Sequence, residues 1–209
     1  MKQDKEKRNK LLESAKKEFM EKGYMKASLR TICKNAGVTT GALYFFFQDK
    51  EDLFESIAKE TIGNIWQIMQ GHYNDERVMA ENGMTTDEML DNHGDMEESK
   101  AIIHQMYLHR DDILLVLTKA QGTKLENIAD QFVETSEAHY RAMAAQMRKL
   151  YPGKSVDDKM LHWLAHMQID AFIYMITHIE KEEDGLAFMF QFINYMISGW
   201  TGLWTDSVK

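Results

Sequence analysis

Apolar residues recur along this chain at three- and four-residue spacing, and strict alternation is rare, so the pattern predicts helix almost throughout. Leu11, Leu12, Ala15, Phe19 and Met20 form one apolar stripe with lysines on the other faces, which predicts a helix over residues 5–22 stopped by Gly23. Ser28 is placed to cap a short helix whose buried side is Leu29, Ile32, Cys33 and Ala36, and Gly37 supplies the left-handed residue that ends it. Val38 sits in the turn, and Thr39 or Thr40 caps a second short helix whose apolar members are Ala42, Leu43, Phe46 and Phe47. Asp49 then opens a long helix that carries Leu53, Phe54, Ile57, Ile62, Ile65, Trp66, Ile68 and Met69 to about residue 73.

Residues 74–98 are acidic, contain Gly83 and Gly94, and carry the weakest pattern, with short helices expected near 86–92 and after Asp95. The next helix covers 100–120, with Arg110-Asp111-Asp112 as an interruption and Gly122 as its end. Long helices follow over 124–150, closed by Tyr151-Pro152-Gly153, and over 156–181. Glu182-Glu183-Asp184-Gly185 separates these from a last helix over 186–204.

Helix, glycine turn and second helix over 28–47 is the helix-turn-helix arrangement, which presents its second helix to the DNA major groove. Charge agrees with it. Residues 1–50 carry 12 Lys/Arg against 6 Asp/Glu, whereas the remainder carries 13 against 27. A basic end on an acidic body confines contact with a polyanion to the first segment. Arg30 points away from the buried face and can reach a guanine edge or clamp a phosphate. Thr39, Thr40, Gly41 and Ala42 are small enough to let the helix start enter a groove. Phe45, Phe46 and Phe47 are consecutive, and one helix cannot bury all three. Phe45 therefore either faces DNA or covers the preceding helix.

Ile32-Cys33, Ala36-Gly37-Val38, Gly41-Ala42-Leu43-Tyr44, Phe47, Lys50-Glu51 and Leu53 together resemble the signature of the TetR family in order and spacing. The resemblance covers roughly residues 10–57. Phe46 stands where many members have His or Tyr, and Cys33 replaces a small alanine. The resemblance implies an all-α fold: a three-helix helix-turn-helix DNA-binding domain (1–49) and a larger helical ligand-binding and dimerisation domain (50–209). The expected DNA contacts are Ser28, Arg30, Thr39, Thr40, Gly41, Ala42, Tyr44, Phe45 and Lys50, and the resemblance places Tyr44 and Lys50 at phosphates. It also implies a homodimer formed through the last two long helices, and a lever role for the helix after Asp49.

The rest of the chain narrows the chemistry. One cysteine excludes an intramolecular disulfide framework and fits a reducing cytoplasm, and the charged start MKQDKEKRNK is no secretion signal. Residues 186–204 hold no charge and reach the length of a membrane span, but Gln191, Asn194, Ser198 and Thr201 are polar and no basic flank sets an orientation. Burial between two copies is the better reading, with Met189, Phe192, Tyr195, Met196, Gly199 and Gly202 at the interface and no membrane partner. No phosphate loop, nucleophile elbow or CxxC pair is present, so no enzyme activity and no cofactor are expected. Sixteen methionines and several aromatics suit an adaptable apolar pocket for a small-molecule effector. Its expected walls are Trp66, Met69, Met106, Tyr107, Phe132, Met143, Met147, Trp163, His166, Met167, Asp170, Phe172 and Met175. His162, His166 and Asp170 share one helical face and give an alternative, a metal- or haem-binding sensor, although such histidines are more often structural.

Overall fold

The structure, a computed structural model, describes residues 2–82 and 93–205, and every regular element among them is a helix. In order these are α1 (Lys2–Lys26), α2 (Leu29–Ala36), α3 (Thr40–Phe46), α4 (Lys50–Glu81), α5 (His93–Leu108), α6 (Arg110–Lys119), α7 (Ile128–Leu150), α8 (Asp158–His178) and α9 (Glu182–Trp204). The all-α class read from the spacing is the class observed.

Several boundaries differ from the sequence reading, each for a local reason. In α1 the helical path breaks at Gly23 (φ 72°, ψ 162°) and resumes as a last turn to Lys26. The long helix α4 runs on to Glu81 rather than ending near residue 73. The helix expected near 86–92 lies outside the described residues, and the one expected after Asp95 begins earlier, at His93. The interruption expected at Arg110-Asp111-Asp112 falls instead at His109, because those two aspartates occupy the first turn of α6, where carboxylates meet the positive end of the helix dipole. The same physics moves the start of α9 back to Glu182. Glu182, Glu183 and Asp184 form its acidic first turn instead of a linker.

The described chain divides into two compact units. The first comprises residues 1–63 and 109–128, and the second 64–108 and 129–209. Helix α4 contributes its beginning to the first unit and its remainder to the second.

In the first unit α1 packs against α2, α3 and α6. Leu11, Ala15, Phe19, Ile32, Leu43, Leu53 and Phe54 are fully buried there. Each large apolar side chain so buried contributes about 1.5–3 kcal/mol, which is what fixes two helices as short as α2 and α3. Phe19 meets Phe54 edge-on at 5.0 Å, and Tyr24 meets Phe54 at 5.5 Å. Ser14 is buried and donates from Oγ to the Ile32 carbonyl at 2.9 Å, tying α1 to α2. Lys16 pairs with Asp112 at 2.8 Å, tying α1 to α6.

In the second unit α5 packs against α9 and α8, and α8 against α9. Its core gathers Val133, Tyr140, Ala144 and Met147 from α7, Leu161, Leu164, Ala165 and Ile169 from α8, and Trp200 and Trp204 from α9. Trp66 stacks on Phe132 with ring centroids 4.4 Å apart. Among the described residues no helix is long and apolar enough to cross a membrane.

Candidate nucleic-acid interface and effector cavity

The helix-turn-helix is held by a chain of caps. Glu18, buried in α1, accepts from the Ser28 amide at 3.1 Å and from Lys22 Nζ at 2.9 Å. Ser28 Oγ in turn accepts from the Thr31 amide at 3.4 Å and opens α2. Gly37 closes α2 at φ 67°, with its amide directed to the Cys33 and Lys34 carbonyls. Thr39 Oγ1 accepts from the Ala42 amide at 3.2 Å and opens α3. Leu43 and Phe47 anchor α3 in the core.

What remains outward is the start and one face of α3. Thr39, Thr40 and Gly41 are exposed, Ala42 is half-buried, Tyr44 is 55% exposed and Phe45 is 76% exposed. Of the two placements open to Phe45, the outward one is observed. Its ring is braced edge-on against Phe46 at 4.9 Å rather than laid over α2. Arg30 is exposed on α2. Two of the expected contact residues are already occupied. The Ser28 hydroxyl serves as a cap, and Lys50 Nζ donates to the Met25 carbonyl at 3.3 Å while standing 4.7 Å over the Tyr24 ring. Partial burial lowers the Lys50 ammonium from its ordinary range, although Glu18 opposes the shift. Arg8 stands over Phe47 at 5.2 Å, and Lys10 pairs with Glu6 at 2.7 Å.

The second unit contains a cavity of about 80 Å³. One side is apolar: Met143, Phe172, Met189, Phe192, Ile193, Met196, Ile197 and Trp200. The other side is polar: Tyr73, Glu76, Asp95, Glu98, Ser99, His139, Tyr140 and Gln168. Of the residues expected to wall a pocket, Met143 and Phe172 line this cavity. Met69, Met106, Met147 and Met175 are core residues, and Met167 packs on that core. Trp66 and Phe132 stack on each other, and Tyr107 donates to the Ile179 carbonyl at 3.0 Å. Trp163 is 53% exposed, and Asp170 is exposed too. His166 lies edge-on to His162 at 4.6 Å, while His162 Nδ1 sits 2.6 Å from Glu137. The His162/His166/Asp170 face is therefore a surface pairing, not a convergent ligand set.

Among the expected interface residues, Met189 is fully buried within its own chain and, like Phe192 and Met196, lines the cavity. Tyr195 and Gly199 are exposed, and Gly202 has open space beside it.

Three of the polar lining residues, Glu76, Asp95 and Glu98, meet at His72, next to Tyr73 on α4. His72 Nε2 lies 3.4 Å from Asp95 Oδ1, 3.4 Å from Glu98 Oε2 and 3.6 Å from Glu76 Oε1. Glu76 Oε2 is 2.8 Å from His139 Nε2. Burial pulls the His72 imidazolium down, but Asp95, Glu98 and Glu76 outweigh it and hold the group at about 9. Burial pushes the Glu98 carboxyl up to about 8, against the pull of His72. Burial would raise Glu76 also, yet His139 and His72 keep it below the usual carboxylate range. The sequence reading missed this cluster because its members fall in and around the segment with the weakest apolar pattern. The available signal was the His72/Glu76 pair at i,i+4 and the Asp95/Glu98 pair at i,i+3, each confined to one helix face.

Comparison with known proteins adds to this geometry. Residues 11–57 match the family model described as bacterial regulatory proteins, tetR family. The chain is 23% identical over 176 residues to the fatty acid metabolism regulator protein of Bacillus subtilis, covering 80% of this chain and 89% of that one. It shares its fold with a transcriptional regulator (TerR/AcrR family) from Aquifex aeolicus VF5, at a TM-score of 0.53 and 20% identity over 93% of this chain and 99% of that one. A third likeness is to the transcriptional regulator FadR from Bacillus subtilis in complex with stearoyl-CoA, at a TM-score of 0.50 and 16% identity over 91% and 97% of the two chains.

Proposed function

Through residues 11–57 the chain belongs to the TetR family of bacterial regulatory proteins, and on that premise we propose that it is a cytoplasmic, effector-responsive repressor. Two chains bind a palindromic operator as a homodimer, with their α3 helices in major grooves about one turn, roughly 34–36 Å, apart. The observation that carries this reading is the outward face Thr39–Thr40–Gly41–Tyr44–Phe45 on a capped helix in a basic first segment. Tyr44 holds a phosphate, Thr39 and Thr40 meet base edges, and Phe45 packs on sugar or a thymine methyl. Arg30 supplies a further phosphate or guanine contact. Lys50, with one of its three N–H donors on the Met25 carbonyl, keeps two for a phosphate. We assign the chain no catalytic activity.

The effector enters the cavity of the second unit. Ligand pockets for drug-sized molecules measure about 300–1,000 Å³, so a void of about 80 Å³ must open to admit one. Opening moves Tyr73 and Glu76, both on α4, the helix whose first residues follow the helix-turn-helix. The effector releases the operator because it binds the opened state better than the closed one. Its body is apolar, to match Phe172, Phe192 and Trp200, and it bears no anionic head. Glu76 and Asp95 would repel the phosphates of an acyl-CoA such as the one bound by the Bacillus relative.

Fluorescence anisotropy on the DNA upstream of the chain's own coding sequence tests the reading. Affinity falls steeply with salt, because each phosphate neutralised by Lys or Arg releases a counterion. Binding that stays flat from low to high salt contradicts it.

A further inference from the structure

The group around His72 is more than an ion pair. Among the described residues, His72, Asp95 and Glu98 form the one set of potential metal ligands whose donor atoms all lie within 4.8 Å of one another. We propose that these three bind a divalent transition-metal ion of the Mn(II), Fe(II) or Zn(II) class, with Glu76 beside His72 in the surrounding shell.

The distances argue for a cation. A ring nitrogen carries at most one proton and satisfies one acceptor, yet His72 Nε2 faces carboxylate oxygens of three residues at 3.4, 3.4 and 3.6 Å. These separations are long for hydrogen bonds. They are the separations of neighbouring ligands on a metal, since donors at 2.0–2.2 Å from an ion stand about 3.0–3.6 Å from one another. Burial adds to this. The Glu98 side chain is 8% exposed and that of His72 is 13% exposed, and the single His72 imidazolium faces three carboxyl groups, whose joint burial is costly without further positive charge.

The donor set selects the class. One imidazole with two carboxylates suits manganese, iron or zinc, and it lacks the thiolates of a soft-metal site. The supporting shell is present as well. His139 holds the second oxygen of Glu76 at 2.8 Å and stacks on Tyr73 at 3.9 Å, and the Tyr73 hydroxyl meets Ser136 Oγ at 3.1 Å. The adjoining cavity of about 80 Å³ accommodates an ion with bound waters, and Gln168 Oε1, buried on its wall without a hydrogen-bond partner, offers an acceptor for one of them. Asp95, the most exposed of the donors, gives the ion its way in.

The test uses the full chain without DNA, so its outcome is independent of the regulator reading. Chelator-stripped protein is titrated with Mn(II), Zn(II) and Mg(II) by calorimetry, and Mn(II) is followed by electron paramagnetic resonance. The expected result is one Mn(II) or Zn(II) per chain, bound at least tenfold more tightly than Mg(II). His72→Ala and Glu98→Gln should each weaken binding by about 10–100-fold, with circular dichroism melts showing both folded, while His162→Ala leaves it unchanged. Absence of saturable binding, equal affinity for Mg(II), or unchanged binding in both site variants overturns the proposal.

Discussion

Glu18 shows how one buried side chain sets the geometry of a reading head. Its carboxylate holds Lys22 and the Ser28 amide, and the Lys22 bond, aided by that amide, keeps it below its ordinary value against the opposing effect of burial. A depressed carboxyl contributes stability that is complete above its unfolded value of 4.5 and is lost as pH falls through the folded one. Glu18→Gln should therefore cost about 1–2 kcal/mol near neutral pH, and the gap to wild type should close in acid; urea melts at both pH values measure it. His72 and Glu98 act with the opposite sign. Both are raised, from 6.5 to about 9 and from 4.5 to about 8, facing Glu76, Asp95, His139, Tyr73 and Tyr140. Folding thus takes up protons, and the metal-free chain loses stability as pH rises through that window. Chemical denaturation from acid to alkaline pH should show a decline on the order of 3 kcal/mol, flattened in the His72→Gln/Glu98→Gln double variant. Phe45 belongs to binding alone. Because it is exposed and makes its ring contact with Phe46, Phe45→Ala should leave the melting temperature unchanged within about 2 °C while weakening operator binding severalfold or more by anisotropy.

The helices differ in how far their sequence announces them. Ser28, Gly37 and Thr39 perform by geometry the capping roles their residue types suggest, so α2 and α3 were legible to within a residue. The start of α9 was not legible, because Glu182-Glu183-Asp184-Gly185 reads as a charged linker unless the dipole of the following helix is taken into account. Its Gly185 is there for a neighbour. A Cβ at that position would lie 2.8 and 2.9 Å from ring carbons of Tyr107, with the hydroxyl closer still. Gly185→Ala should therefore destabilise by about 1–3 kcal/mol despite the better helix propensity of alanine. Gly71, in α4 with nothing within 4 Å of its added Cβ, is the control: Gly71→Ala should gain up to about 1 kcal/mol in thermal or urea melts. The pocket was the least legible feature. Periodicity says that Met69, Met106, Met147 and Met175 face inward, but only packing separates residues that fill a core from residues that border a void. The polar wall was missed because it joins residues of α4, α5, α7 and α8, four elements far apart in the chain.

At the scale of the whole chain, charge and sequence divide the labour. The first 50 residues are net basic and the remainder net acidic, so a duplex is attracted by one segment and repelled by the rest, with the attraction screened beyond about 10 Å at moderate salt. The proposed homodimer would use apolar surface that one chain leaves open, and Tyr195 of α9 and Trp163 and Tyr174 of α8 are exposed. The most direct test of the central claim is competition anisotropy between the chain's own upstream DNA and a shuffled duplex of equal length and composition, at physiological salt. A helix-turn-helix regulator that reads sequence through α3 should prefer the upstream duplex by about a thousandfold or more, with two chains bound per site. Equal affinity for the two duplexes, or no binding to either, would contradict it.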